Sequence, residues 1–167
     1  TKANQAVLSR VGIERQVDEI LEPTDDVLDK FNAVKLGGSI MKCVLVDEAQ
    51  FLEPVQVDQL HEIAVFNNTP VIAYGLRTDF RTKLFRGSQR LLELAHKIEE
   101  VKTVCSCDKK AIFNGRMQDG NFISEGSDVA IDGEVGVSYE PLCSACYYKN
   151  VGSPAIVSQV KQEAVYG

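Results

Sequence analysis

Cys43-Val-Leu-Val46, followed at once by Asp47-Glu48, is the stretch whose reading decides the fold. An unbroken apolar run with β-branched residues predicts a strand covered on both faces, as in a parallel sheet. Pro54 suits the first position of a helix reaching about Phe66, with Val57, Leu60, Ile63 and Ala64 along one side. Asn67-Asn-Thr69 turns the chain, and Pro70-Val-Ile-Ala-Tyr74 predicts a second buried strand. Strand, helix and strand within roughly thirty residues make a right-handed βαβ unit.

Upstream, Val17, Ile20 and Leu21 suggest a short amphipathic turn that stops at Glu22-Pro23. Thr24 is the expected N-cap of a helix whose first turn carries Asp25 and Asp26 and whose apolar face is Val27, Leu28 and Phe31; Gly37-Gly38 ends it. Downstream of Gly75 a polar loop leads to a helix over about Ser88 to Glu99, bearing Leu91, Leu92, Leu94, Ala95 and Ile98. Val101-Lys-Thr-Val104 predicts another strand. From residue 105 the helical period gives way to turn pairs (Asp119-Gly120, Glu125-Gly126, Asp132-Gly133), which predict hairpins and a long loop. Pro154 to Tyr166 reads as a short helix or a disordered tail. The expected organisation is an α/β nucleotide-binding core over 1–104, a second domain over 105–149 and a tail over 150–167.

Two close cysteine pairs, Cys105/Cys107 and Cys143/Cys146, flank that second domain. Four thiolates delivered by two tight turns make the closed all-sulfur site that structural Zn²⁺ prefers, clamping the base of the excursion between them. The alternative is four ordinary free cysteines. Cys43 opens the apolar strand and reads as a small apolar residue. His61 and His96 fall in predicted helices, where packing outweighs catalysis.

The chain has 167 residues, 44% hydrophobic and 25% charged, which bounds it to one globular domain with or without an appendage. It has no apolar run of the length a membrane span needs and no visible signal pattern, so a cytoplasmic setting that keeps thiols reduced is expected. A net charge of −6 argues against non-specific binding to nucleic acid or an anionic membrane. Thr1 rather than methionine stands first, so a fragment of a longer chain is expected.

Asp47-Glu48 at the carboxyl end of a buried strand lies where open α/β sheets bind ligands. One carboxylate can hold Mg²⁺ while the other takes a proton from an attacking group, as phosphoryl transfer needs. Solvated acids at a strand exit, or the acidic strand of another ATPase, fit the same residues. The loop Tyr74-Gly-Leu-Arg-Thr-Asp-Phe-Arg-Thr-Lys-Leu-Phe85 carries Arg77, Arg81 and Lys83, suited to phosphate oxygens, and Phe80 and Phe85, suited to a planar base. A charged surface loop with two tucked phenylalanines is the plainer reading.

Val44-Leu-Val-Asp-Glu-Ala-Gln-Phe51, Tyr74-Gly-Leu-Arg-Thr-Asp-Phe80, the Phe85-x-Gly87 step, Lys102-Thr-Val-Cys105 and the second cysteine pair follow one another in order. Together they resemble the type II thymidine kinases, the family of the bacterial and human cytosolic enzymes, over roughly residues 43 to 149. Ser9-Arg-Val-Gly-Ile13 is similar to the segment that precedes the family's acidic strand. The resemblance implies a P-loop-type parallel sheet with flanking helices, plus a small zinc-ribbon-like β domain carrying a lasso loop. It implies transfer of the γ-phosphoryl group of ATP to the 5′-hydroxyl of deoxythymidine, a salvage step supplying DNA synthesis, with Mg²⁺ and structural Zn²⁺ as cofactors.

By the same resemblance Glu48 is the catalytic base, Asp47 belongs to the Mg²⁺ and phosphate side with Gln50 and Arg77, and Phe51 flanks the substrate. Phe80 packs on the thymine with Phe85 on the same wall. The lasso's Val129, Ala130, Ile131, Asp132 and Gly133 meet the base edge through their backbone, and Tyr139 contacts the nucleoside. A homotetramer and feedback by dTTP are also implied. The family's glycine-rich phosphate loop, ending Gly-Lys-Ser or Gly-Lys-Thr, precedes Thr1 in the family's order, which accords with a fragment. The competing readings are a zinc-ribbon interaction module with merely structural acids, and a different P-loop ATPase.

Overall fold

The computed structural model describes residues 6–8, 12, 14–38, 40–126 and 135–152. Among these it is a mixed α/β chain with small sheets, divided into two compact units. The first gathers the described residues up to Gly75 with Arg86–Ala95; the second gathers Leu76–Phe85 with the described residues from His96 onward.

In the first unit, β1 (Ala6–Leu8) pairs antiparallel with β2 (Glu14–Gln16). Helix α1 (Val27–Leu36) follows, then β3 (Val44–Val46), a 3₁₀ turn (Ala49–Phe51), α2 (Pro54–Phe66), β4 (Val71–Ala73) and α3 (Arg86–Leu94). β3 and β4 are parallel, with Val44, Leu45 and Val46 opposite Val71, Ile72 and Ala73. The strand–helix–strand expectation is therefore met. Its core is Val27, Phe31, Val46, Ala49, Leu52, Val57, Leu60 and Ile63, with Val44, Val71, Ala73, Leu91 and Leu94 packed against it.

Four local expectations need correction. Among the described residues β3 and β4 are covered on one face only: Leu45 is 61% exposed and its register partner Ile72 is 45% exposed. Side chains alternate across a strand, and the core gathers on the face of Val44 and Val46. Cys43 is likewise exposed and lies just outside the strand. The N-cap of α1 is Asp26, whose carboxylate accepts from Asp29 N–H at 2.9 Å, rather than Thr24. Asp25 is occupied instead by the Glu22 N–H at 2.8 Å, closing the turn before the helix. Finally, α3 stops at Leu94 instead of continuing to about Glu99, because the chain leaves the first unit after Ala95.

Pro54 does open α2, where its missing N–H costs nothing, and Glu53 and Gln56 form a reciprocal capping box. Buried Gln56 then donates to the carbonyls of Glu22 at 2.8 Å and Asp25 at 3.1 Å, while Gln59 accepts from Val27 N–H at 2.9 Å. The first two turns of α2 thereby satisfy backbone groups of the turn before α1 and of its first residue.

In the second unit, β5 (Thr103–Val104) pairs antiparallel with β6 (Lys110–Ala111) around the first cysteine pair. β7 (Phe113–Gln118), β8 (Asn121–Ile123) and β9 (Val137–Leu142) form a sheet in the order β8-β7-β9, and α4 (Ser144–Asn150) closes the described chain. Asp119 at φ 48° and Gly120 at φ 80° make the tight β7–β8 connection, as the Asp-Gly pair predicts. Cys105, Ala111, Leu142, Cys143 and Tyr147 form this unit's core, with Phe113, Phe122, Cys146 and Val151 against it.

Candidate functional site

In the first unit the acidic residues leave β3 on a strained turn. Glu48 sits at φ 50° and ψ 36°, a left-handed conformation that side chains other than glycine adopt at a cost of about 1–2 kcal/mol. Its N–H is held by Asp47 Oδ1 at 2.9 Å, and its carbonyl accepts from Phe51 N–H at 3.0 Å. Ala49 N–H reaches the Tyr74 carbonyl at 2.8 Å, which ties the turn to the end of β4. Gln50, only 2% exposed, donates its amide to Glu48 Oε2 at 2.5 Å. A buried amide thus fixes the direction of an exposed carboxylate. Asp47 and Glu48 are both exposed, and Phe51, at the end of the turn, is 50% exposed.

The turn is backed by α3. A Cβ on Gly87 would lie 2.6 Å from the Leu52 carbonyl oxygen and 2.8 Å from those of Ala49 and Gln50. Only glycine lets the helix approach the acidic turn this closely.

In the second unit the four cysteines converge. Their ligand atoms all lie within 4.8 Å of one another, with Cys107 Sγ 3.6 Å from both Cys105 Sγ and Cys143 Sγ. Tetrahedral zinc–thiolate bonds of about 2.3 Å give sulfur–sulfur edges of about 3.8 Å, so the cluster can hold such an ion. Local turns explain the convergence. Cys105 N–H donates to the Lys109 carbonyl and Asp108 N–H to the Cys105 carbonyl, with Asp108 at φ 64°. Cys143 is the N-cap residue of α4, which presents Cys146 from its first turn. Backbone N–H groups of Cys107 and Cys143 aimed at Cys105 lower its thiol to about 6. The Cys146 N–H lowers the Cys143 thiol in the same way, while the crowding thiols of Cys107, Cys105 and Cys143 push Cys146 up to about 12. Amides aimed at sulfur favour the thiolate, the form that binds metal.

The loop Leu76–Phe85 belongs to this unit as well. Buried Asp79 closes it, accepting from the N–H groups of Arg81 at 2.9 Å and Lys83 at 2.8 Å and from Arg81 Nε at 2.9 Å and Nη2 at 2.8 Å. Thr78 and Leu84 bridge across the loop, and Thr82 takes φ 65° at its tip. Phe80 is 2% exposed, and the guanidinium groups of Arg81 and Arg116 lie over its ring at 5.5 and 5.4 Å. Arg77 is exposed and donates to the Ile112 carbonyl at 3.4 Å, Phe85 is half-buried, and Tyr139 stands on β9 opposite Arg116. Val129, Ala130, Ile131, Asp132 and Gly133 lie outside the described residues.

The residues expected in the site thus fall in two groups. Asp47, Glu48, Gln50 and Phe51 share the first unit, while Arg77, Phe80, Phe85, Tyr139 and the cysteines share the second. Sequence reasoning did not single out Asp79, Arg116 or Tyr147. An Asp beginning a turn two residues before Arg81 was the available signal for the first; the other two act across long sequence separations. No helix among the described residues is long and apolar enough to cross a membrane.

A family model described as thymidine kinase matches residues 2–147. The thymidine kinase of Enterobacteria phage T4 is 48% identical over 135 residues, covering 79% of this chain and 68% of that protein. That of Ruegeria pomeroyi is 43% identical over 149 residues, covering 89% of this chain and 73% of the relative. That of Chromobacterium violaceum is 43% identical over 143 residues, with 85% and 73% covered.

Proposed function

The chain belongs to the thymidine kinase family, and from that premise we propose that it transfers the γ-phosphoryl group of ATP to the 5′-hydroxyl of deoxythymidine, giving dTMP. The observation that carries the catalytic part is Glu48, an exposed carboxylate on a left-handed turn whose direction a buried glutamine amide holds. Backbone strain of this sort gathers where function requires a side chain in one place.

In this reading Glu48 takes the proton of the 5′-hydroxyl as the oxygen attacks the γ-phosphorus and the bond to the β–γ bridging oxygen breaks, ADP leaving, and Gln50 keeps the carboxylate turned toward the hydroxyl. Asp47, beside it, serves the Mg²⁺ and phosphate side together with Arg77. Mg²⁺, when bound, neutralises charge on the phosphate oxygens. Phe51 and Phe85 supply aromatic surface to the nucleoside, and Phe80, buried beneath Arg81 and Arg116, backs the wall on which the base packs. Backbone groups of Val129 to Gly133 pair with the polar edge of the base, and Tyr139 contacts the nucleoside. A site that pairs with a base's polar edge disfavours bases that leave those groups unmet. Cys105, Cys107, Cys143 and Cys146 hold a structural Zn²⁺ that fixes the base of the lasso. The β3–β4 pair is proposed to be part of a larger P-loop-type parallel sheet. The family also suggests a cytoplasmic homotetramer with dTTP as feedback ligand.

The test is Glu48→Gln in the full-length protein, assayed for deoxythymidine phosphorylation with ATP. Loss of a general base lowers kcat by about 10²–10⁴-fold, and zinc content and folding are expected to stay as in the parent. Unchanged turnover removes Glu48 from its role. A parent protein that holds zinc but neither binds nor phosphorylates deoxythymidine would instead be a zinc-ribbon interaction module.

A further inference from the structure

Tyr147 makes a buried hydrogen bond that reaches across 67 positions: its hydroxyl donates to the main-chain carbonyl of Phe80 at 2.5 Å. Tyr147 follows Cys146 directly, on the helix that Cys143 starts, and its own N–H donates to the Cys143 carbonyl at 2.9 Å. Its ring packs on Phe113 at 5.0 Å between centroids and meets Tyr148 edge-on at 5.9 Å.

The far end of this bond is the loop closed by Asp79. There Arg81 turns one nitrogen to the Gly126 carbonyl at 3.2 Å, near the middle of the excursion between the cysteine pairs. The Phe80 ring lies beneath Arg81 and Arg116, while its carbonyl is held by Tyr147. Ring and backbone of one residue are therefore fixed by separate partners. A phenylalanine at 147 would fill the same apolar space, so packing alone does not explain the hydroxyl.

We propose that Tyr147 is a positioning residue for deoxythymidine binding: its hydroxyl ties the four-cysteine clamp to the Phe80 backbone and sets where Phe80 stands. The proposal rests on the thymidine kinase reading, in which Phe80 serves the base. It adds a residue with no place among the base-contacting groups, acting through Phe80 rather than on substrate.

The experiment compares the full-length parent, Tyr147→Phe and, as a control on the same aromatic cluster, Tyr148→Phe. Four quantities are read: kcat and KM for deoxythymidine and ATP, calorimetric deoxythymidine affinity, zinc per chain, and hydrogen exchange of the 76–85 and 103–111 segments. Leaving a buried carbonyl without its donor should raise deoxythymidine KM and Kd roughly tenfold, with kcat within about twofold. ATP KM and zinc content should stay at parent values, and exchange should quicken in 76–85 but not in 103–111. Tyr148→Phe should match the parent throughout.

Unchanged deoxythymidine constants and unchanged exchange in Tyr147→Phe overturn the proposal. So does loss of zinc or of fold in that variant, or an equal rise in both substrates' constants, since the hydroxyl would then serve stability alone. If the parent itself has no deoxythymidine affinity, the thymidine kinase reading fails; quickened exchange confined to 76–85 would still support Tyr147's hold on Phe80, and its absence would overturn that too.

Discussion

Glu48 and Gly87 show how the acidic turn is set by what two residues can and cannot do. Glu48 accepts left-handed backbone at a cost, and the turn it begins lies under α3, whose Gly87 faces three carbonyl oxygens of residues 49, 50 and 52. Those oxygens belong to main chain that carries Glu48 and Gln50 and cannot swing aside like a side chain. Gly87→Ala should therefore destabilise the protein by about 1–3 kcal/mol, the usual cost of overpacking. Urea unfolding would show it as a lower midpoint with an unchanged slope; an unchanged midpoint would mean that α3 shifts freely. Among the described residues Gly120 meets no atom within 4 Å of a Cβ, and its demand there is conformational, through φ 80°. Asp47 and Glu48 were legible in the sequence because the apolar run of β3 ends on them. Tyr147 was not, since a hydrogen bond to residue 80 leaves no trace in the residues around 147.

Elements were legible in kind and less so at their ends. α2 announced both its start, through Pro54, and its stop at Phe66, before the polar Asn67-Asn-Thr69. α1 was recognised by Val27, Leu28 and Phe31, yet three capping residues in a row, Thr24, Asp25 and Asp26, left its start undecided by local preference. Tertiary structure decides it: Gln59 on α2 accepts from Val27 N–H and donates to Asp26 Oδ2 at 2.7 Å, making Asp26 the residue that both α1 and α2 use. Asp26→Ala should then cost about 1 kcal/mol or somewhat more, whereas exposed Thr24→Ala should stay within about 0.5 kcal/mol of the parent. Equal effects in a denaturant titration would contradict the assignment. α3 ended early for a different reason, since its apolar pattern continues through Ile98 while the chain passes into the second unit at His96, leaving Ile98 62% exposed. Periodicity records which residues are apolar, not which core they join.

At the scale of the molecule, each unit has its own core, and the cysteines belong to only one of them. The first core is aliphatic and aromatic, drawn from α1, β3, the acidic turn and α2. Among the described residues the second is small: of the five buried residues in its cluster, Cys105 and Cys143 are metal-ligand candidates, and Tyr147 stands next to a third. We predict that a core this size draws much of its folding free energy from an ion held by the four sulfurs, because a thiolate site of this kind forms with the fold around it. The sequence exposed the clamp through the spacing of its cysteines. It could not show that Leu76–Phe85, which lies before both cysteine pairs in the chain, would fold with them, because the loop's ties are Tyr147 to Phe80, Arg77 to Ile112 and Arg81 to Gly126. Native mass should find one zinc per chain, and a strong chelator should act selectively. Hydrogen exchange is expected to quicken across 76–85, 103–126 and 135–152 on zinc removal, while α2 and the 49–51 turn keep their protection. Deoxythymidine affinity should fall with the loop, and returning zinc should restore both. If protection were lost equally in α2, the two cores would be one cooperative unit. If none were lost anywhere, the four sulfurs would hold their places without a metal.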